Sequence, residues 1–368
     1  MIKKEIIQWL ASVNTRALFD KADKTRKKYC GNKIFIRGLI EFSNVCVRNC
    51  KFCGLRRDNK RIKRYRLQPA EILKISGRIA RKGIKTIVLQ SGDDFYYTRR
   101  ILCGLIKGIK DRFPDIAITL SLGERPLSEY KAFREYGADR YLLKHETINE
   151  KFYSSLCPGQ SLKKRIKILE YLKKIGFQVG VGNIVGLPGQ TLDDLAEDII
   201  FFKDFKPDML SVGPFLPQRQ TPFFKNSVPD IKLVLKCIAL SRIVTRESHM
   251  PVTTSLATLS IDKGIVLGLK SGCNVIMVNF TPHKQRKHYR IYDNKIKVDI
   301  KIAGDMLKKA KRKICLERGD SFKFAVLGIL VGVYIGFGAS LFTLEGSDTV
   351  KYVGVGIVKI LVGAVVFC

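Results

Sequence analysis

The chain has 368 residues, 46% of them hydrophobic, enough to bury the core of one large domain or two ordinary ones and to exclude global disorder. Its formal net charge of +34 points to nucleic acid, anionic lipid or an anionic substrate. The Lys and Arg are scattered and no nucleic-acid-binding motif accompanies them, so the charge reads as solvated helix faces and no nucleic-acid partner is expected.

The opening segment MIKKEIIQWLASVNTRALFD has apolar residues at helical spacing and no small-residue cleavage site. Residues 1–33 are therefore expected to form an N-terminal helical segment in a reducing compartment. Short apolar, β-branched runs follow: KIFIRGLIEF, KTIVLQS, IAITLSL, RYLLK, QVGVGNIVG, DMLSVGPF, PVTTSLA and NVIMVNF. Between most of them lie helical patterns with caps. QPAEILKISGRIARKG opens on Pro and stops on Gly, and RPLSEYKAFREYG and SLKKRIKILEYLKKIG also end on Gly. TLDDLAEDIIFFKDF carries acids in its first turn, as the helix dipole favours. Eight buried strands, mostly followed by helices, predict an α/β fold of the (β/α)8 TIM-barrel type over residues 34–320. A doubly wound open sheet is the alternative, disfavoured because GVGNIVGLPGQT sits in mid-chain and lacks dinucleotide-fingerprint spacing.

After Asp293 the pattern turns basic and helical, and residues 321–368 form a hydrophobic tail. Phe322 to about Thr343 is long and apolar enough to cross a bilayer. Gly328, Gly332 and Gly336 give it the small-residue ridge of packed membrane helices. Tyr352–Cys368 is a second, partial run. Lys308, Lys309, Lys311, Arg312 and Lys313 would then face the cytoplasm. One full and one partial membrane-like helix are expected, anchoring a cytoplasmic barrel.

Chemistry concentrates in IEFSNVCVRNCKFCGLRRDN, directly after the first predicted strand. Cys46, Cys50 and Cys53, spaced C-x3-C-x2-C, supply three thiolates. A structural zinc site wants four ligands, and an iron–sulfur cube ordinarily takes four cysteines. Three leave one iron open. The remaining Cys30, Cys103, Cys157, Cys237, Cys273 and Cys315 are isolated in sequence and read as small apolar residues. His145 reads as structural support at the barrel mouth, and His249, His283 and His288 show no ligand spacing.

The three-cysteine motif resembles that of the radical S-adenosylmethionine (SAM) enzymes. With YRLQPAEI, KTIVLQSGDD, TLSLGERP, GADRYLLKHET, VGLPGQT, GPFLPQRQTP and NVIMVNFTP in order, the chain resembles the HydE family of iron-only (FeFe) hydrogenase maturases over roughly residues 15–320. Methylornithine synthase and biotin synthase carry similar blocks. The resemblance implies a 4Fe-4S cluster on Cys46, Cys50 and Cys53, and cleavage of S-adenosyl-L-methionine to a 5′-deoxyadenosyl radical. It implies SAM contacts from Gln90, Ser91, Ser121, Glu146 and Arg165, polar groups at strand ends or, for Arg165, suited to a carboxylate. Lys144, Thr253, Thr254 and Tyr289 would line the substrate cavity. Lys144 stands where the family commonly has arginine, which keeps the charge and loses the bidentate fork. The implied substrate is a cysteine-bound iron carbonyl cyanide complex, and other hydrogenase maturases are implied partners. Only Cys315 lies between residues 293 and 318, so no second cluster is expected. The tail resembles the first transmembrane segment and part of the second of a formate/nitrite transporter. Two incomplete spans cannot line a pore, so the tail reads as an anchor or a fused reading frame. The alternatives are a methylornithine synthase or biotin synthase-like enzyme, and, in another class, a transporter fragment fused to an inactive barrel.

Overall fold

The computed structural model describes residues 1–315. Its strands are β1 (Lys33–Ser43), β2 (Thr86–Ser91), β3 (Ala117–Ser121), β4 (Arg140–Leu142), β5 (Gln178–Val185), β6 (Met209–Pro214), β7 (Pro251–Val252), β8 (Val275–Asn279) and β9 (Lys313–Cys315). Eight run parallel in the order β6-β5-β4-β3-β2-β1-β8-β7, and β9 pairs with β1. A parallel bridge from Met209 to His249, with Leu210 N–H donating to the His249 carbonyl at 3.0 Å, ties β6 to the approach to β7. The sheet is a nearly closed parallel barrel, the architecture expected of alternating strands and helices.

All eight predicted strands are present, one much shortened. PVTTSLA is a strand only at Pro251–Val252. Thr253 then caps a short helix, Thr254–Leu259, its hydroxyl accepting from Leu256 N–H at 3.2 Å. A threonine side chain at a chain reversal offers the backbone a helix start, and that local bond overrides the β-branched composition.

Alternation along β1 sets inside from outside. Ile34, Ile40 and Phe42 join the apolar layer beneath the helices, and Arg37 and Glu41, on the opposite face, point into the barrel. Register places Glu41 beside Gln90, and Gln90 beside Ser121, making a polar ring near the carboxyl ends of β1, β2 and β3. The helix Pro69–Arg81 is begun by Pro at its first turn and a capping box in which Gln68 N–H donates to the Glu71 carboxylate at 2.7 Å. The helices Lys3–Ala11 and Arg16–Cys30 pack on the outer helices, with Ile6, Leu10, Leu18 and Ala22 in the common core. Among the described residues no helix is long and apolar enough to cross a membrane. The apolar runs 322–343 and 352–368 lie outside the described residues.

Candidate active site at the barrel mouth

The cysteine loop leaves β1 at Ser43 and is shaped by backbone bonds. The Asn44 amide donates to the carbonyls of Lys63 and His288 at 2.9 and 2.8 Å, and its oxygen accepts from Tyr65 N–H at 2.7 Å. Arg64 donates to four carbonyls, those of Asn44, Leu55, Arg56 and Asn59, at 2.6–3.1 Å. Asn59 closes the turn on the Gly54 carbonyl at 2.7 Å. From the neighbouring strand, Gly92 N–H donates to the Ser43 carbonyl at 3.2 Å and Val47 N–H to the Asp93 carbonyl at 3.1 Å. Only glycine fits at 92: a Cβ there would overlap the Val45 carbonyl oxygen and stand 2.7 Å from the Cys46 Cβ.

The loop presents three free thiols, each half-buried. Burial and the nearby Asp93 carboxylate push Cys46 up to about 12. Burial, then the charges of Cys50 and Cys46, push Cys53 up as well. Cys50 goes the other way, because Cys157 and Gln160 hydrogen-bond to its sulfur. Among the described residues no three His, Cys, Asp or Glu side chains are drawn tightly enough to chelate a single ion. Three thiols on one eight-residue loop suit ligands on separate corners of a cluster. Three mutually repelling thiolates need a cationic group among them, so the donor set fits an iron–sulfur cluster with one open iron.

Around the loop runs a charged chain that the sequence reading did not identify. Arg48 pairs with Asp93 at 2.6 Å and Glu124 at 3.5 Å, and Glu124 pairs with Arg165 at 2.9 Å. Arg165 also donates to the Lys144 carbonyl and to the Gln160 side-chain oxygen, both at 2.8 Å. Asp94 takes the Ser43 hydroxyl at 2.6 Å and both forks of Arg66 at 2.8 and 2.9 Å. Asp93 and Asp94 follow β2 and Glu124 follows β3, where acids after an apolar run are the available signal; their arginine partners, up to 76 residues away, are not visible in composition.

The expected SAM contacts lie at this mouth. Gln90 and Ser91 end β2 and Ser121 ends β3, all half-buried. The Ser91 hydroxyl donates to the Gly92 carbonyl at 2.7 Å, so it is engaged by its own chain. Glu146 holds a left-handed backbone, φ 67°, which a non-glycine residue adopts at a cost. Its buried Oε2 is 3.0 Å from the Lys144 ammonium yet makes no aligned hydrogen bond. Strained backbone and a buried carboxylate oxygen short of donors suit a group that meets a ligand. Arg165 is less open than expected: three of its five N–H groups are engaged by protein acceptors.

Of the expected cavity residues, Lys144 sits beside Glu146, Thr253 caps the helix Thr254–Leu259 with its hydroxyl, and Thr254 is the first residue of that helix. Tyr289 is buried, 4.7 Å from the Lys295 ammonium, and Lys295 pairs with Glu41. Burial, then Glu41, push the Tyr289 phenol well up, so it stays a donor. Tyr289, Asn279, Tyr292 and Lys295 line a cavity of about 520 Å³ with Arg286 and Arg290. A larger hollow of about 2050 Å³ lies at the amino-terminal ends of β5 and β6, around Trp9, Lys206 and His249, and contains no cysteine. His145 is buried against Phe201 with its Nε2 3.8 Å from Asp198, a support beneath the mouth. Cys157 is the small buried apolar residue the sequence reading expected, and Cys50, 107 positions earlier in the chain, packs against its group because the helix Glu150–Leu156 ends against the loop.

The radical SAM superfamily model matches residues 40–202. The [FeFe] hydrogenase maturase subunit HydE of Thermotoga maritima is 45% identical over 297 residues, 80% of this chain and 84% of that protein. The chain belongs to the HydE family of radical SAM enzymes. The 3-methylornithine synthase of Methanosarcina acetivorans is more distant from this HydE-family chain, 30% identical over 261 residues, covering 70% of this chain and 73% of that one. The crystal structure of methylornithine synthase (PylB) superposes with a TM-score of 0.76 at 25% identity, covering 85% of this chain and 94% of that chain. As a HydE-family radical SAM enzyme, the protein takes a 4Fe-4S cluster and S-adenosyl-L-methionine as cofactors.

Proposed function

We propose that this enzyme serves in assembly of the diiron site of [FeFe] hydrogenase, acting on a small anionic substrate in concert with other hydrogenase maturases. The observation that carries the reading is the 45% identity with a named maturase over most of both chains. When bound, the cluster and SAM supply a 5′-deoxyadenosyl radical inside the barrel. Cys46, Cys50 and Cys53 would hold the cluster. Glu146 offers a buried carboxylate to the donors of SAM, Arg165 its two remaining N–H groups, and Gln90, Ser91 and Ser121 the polar strand ends. Arg286, Lys287, Arg290 and Lys295 give the cavity around Tyr289 a cationic lining, which supports an anionic substrate such as a cysteine-bound iron carbonyl cyanide complex. Lys144, Thr253 and Thr254 are proposed at the edge of that substrate.

In domain terms we read residues 1–33 as a helical segment, 34–320 as the barrel and 321–368 as a tail that tethers the barrel to the cytoplasmic face of a membrane. The test is anaerobic reconstitution of the full chain with iron and sulfide, reduction with dithionite, and measurement of 5′-deoxyadenosine from SAM beside Cys50→Ala. Product in the wild type alone supports the reading; no cluster in either refutes it. Complementation of a hydrogenase-producing host lacking its own maturase then separates this role from methylornithine synthesis, which the 30% identity and shared fold keep as the second reading. A methylornithine synthase would turn over an amino acid and leave hydrogenase inactive.

A further inference from the structure

The three cluster cysteines are not supported alike. Cys46 receives two main-chain N–H groups, those of Arg48 and Asp93, each at 3.4 Å from its sulfur. Cys50 instead meets side chains from the segment that follows the helix Glu150–Leu156. Gln160 Nε2 donates to the Cys50 sulfur at 3.3 Å. The orientation of that amide is fixed by chemistry: Gln160 Oε1 accepts from Arg165, which can only donate, so the NH2 end must face the sulfur. Cys157 is a buried thiol packed with Tyr153, Leu156, Leu187 and Phe215, and Cys50 and Phe52 lie against the same group; against a thiolate held by a cluster, such a thiol can only donate. The two segments are joined by main chain as well, since Lys51 N–H donates to the Leu156 carbonyl at 2.9 Å and Gln160 N–H to the Cys157 carbonyl at 3.1 Å. Gln160 is in turn held by Arg165, and Arg165 by Glu124, so the amide at Cys50 ends a braced chain rather than a mobile side chain.

We propose that Cys157 and Gln160 are positioning residues for the cluster: they donate hydrogen bonds to the Cys50 sulfur and raise the reduction potential of the iron–sulfur group that this sulfur holds. The inference rests on the cofactor assignment above. One-electron reduction adds negative charge to the cluster and its thiolates. Donors aimed at one thiolate stabilise the reduced state more than the oxidised one, and hydrogen bonds to sulfur are among the levers that set such potentials. Cys157 acts as a donor and not as a fourth ligand, because a fourth thiolate would close the iron that the three-cysteine set leaves open.

The experiment is a redox titration, followed by the EPR signal of the reduced cluster, of the anaerobically reconstituted full chain. Wild type is compared with Cys157→Val, which keeps volume and removes the donor, Cys157→Ser, which keeps a donor, and Gln160→Leu. The expected result is equal iron per chain, a lower midpoint potential for Cys157→Val and Gln160→Leu, and a Cys157→Ser potential at or above the wild type. A Cys157→Val midpoint equal to the wild type would overturn the proposal, leaving the thiol a packing group. Loss of iron in Cys157→Val would also overturn it, making Cys157 a ligand. Wild-type protein that takes up no 4Fe-4S cluster would overturn the cofactor assignment itself, a result separable from the other two.

Discussion

Substitution of Gly92 by alanine isolates the way β2 supports the cysteine loop. The added Cβ would overlap the Val45 carbonyl oxygen and crowd the Cys46 Cβ at 2.7 Å. Neither neighbour can withdraw freely, because Gly92 N–H is bonded to the Ser43 carbonyl at 3.2 Å and Asp93 N–H to the Cys46 sulfur at 3.4 Å. Forcing one methyl into such a site costs about 1–3 kcal/mol. If the strain falls on the conformation that holds the cluster, cluster retention weakens by about 5- to 150-fold. The assay is iron per chain after anaerobic reconstitution and desalting, with thermal melting of the apo protein alongside. Gly104→Ala is the control: a Cβ there meets nothing within 4 Å in the middle of the helix Arg99–Arg112, and alanine should stabilise that helix by about 0.5–1 kcal/mol. A Gly92→Ala protein with wild-type iron retention and melting would refute the account of how β2 holds the loop.

Glu124→Gln leaves Arg48 and Arg165 without their shared carboxylate in a site where the Glu124 side chain is only 5% exposed, and urea unfolding should show a loss of about 3–5 kcal/mol. Burial, then Arg37, Arg140 and Arg242, lower the folded-state value of His249 to about 3. The unfolded chain takes up that proton near its ordinary 6.5, so stability is lost as pH falls from 6.5 towards 3, with a slope of at most about 1.4 kcal/mol per pH unit from this group. Melting curves at pH 7, 6 and 5 should therefore fall less steeply for His249→Gln than for wild type. Thr253→Ala removes the cap of the helix Thr254–Leu259 and should cost about 1 kcal/mol, recovered in Thr253→Ser; equal melting of all three proteins would reject the cap.

What the sequence made legible is local. Each strand of the barrel carries its own apolar run, and helices such as Leu162–Lys174 carry their own stops, so the barrel could be anticipated without knowing any contact. The cysteine loop was equally visible, because its three ligands sit within eight residues. The charged chain Asp93–Arg48–Glu124–Arg165 was not, because its members come from four separate segments and none is unusual where it stands. The approach of the Cys157 group to Cys50 was hidden for the same reason: a buried cysteine at a helix end carries no mark of the loop it meets. PVTTSLA failed differently, its β-branched residues outweighed by a single hydroxyl-to-backbone bond at Thr253.

Arg64 and Asn44 bear on how firmly the three thiols are spaced. Four carbonyls gathered by one guanidinium, and two more by one amide, hold the cysteine loop in shape through contacts that involve no ligand sulfur. The entropy cost of ordering this stretch is offset by these bonds as well as by any made through sulfur. Loss of Arg64 would therefore loosen the spacing of the three thiols while leaving every ligand in place.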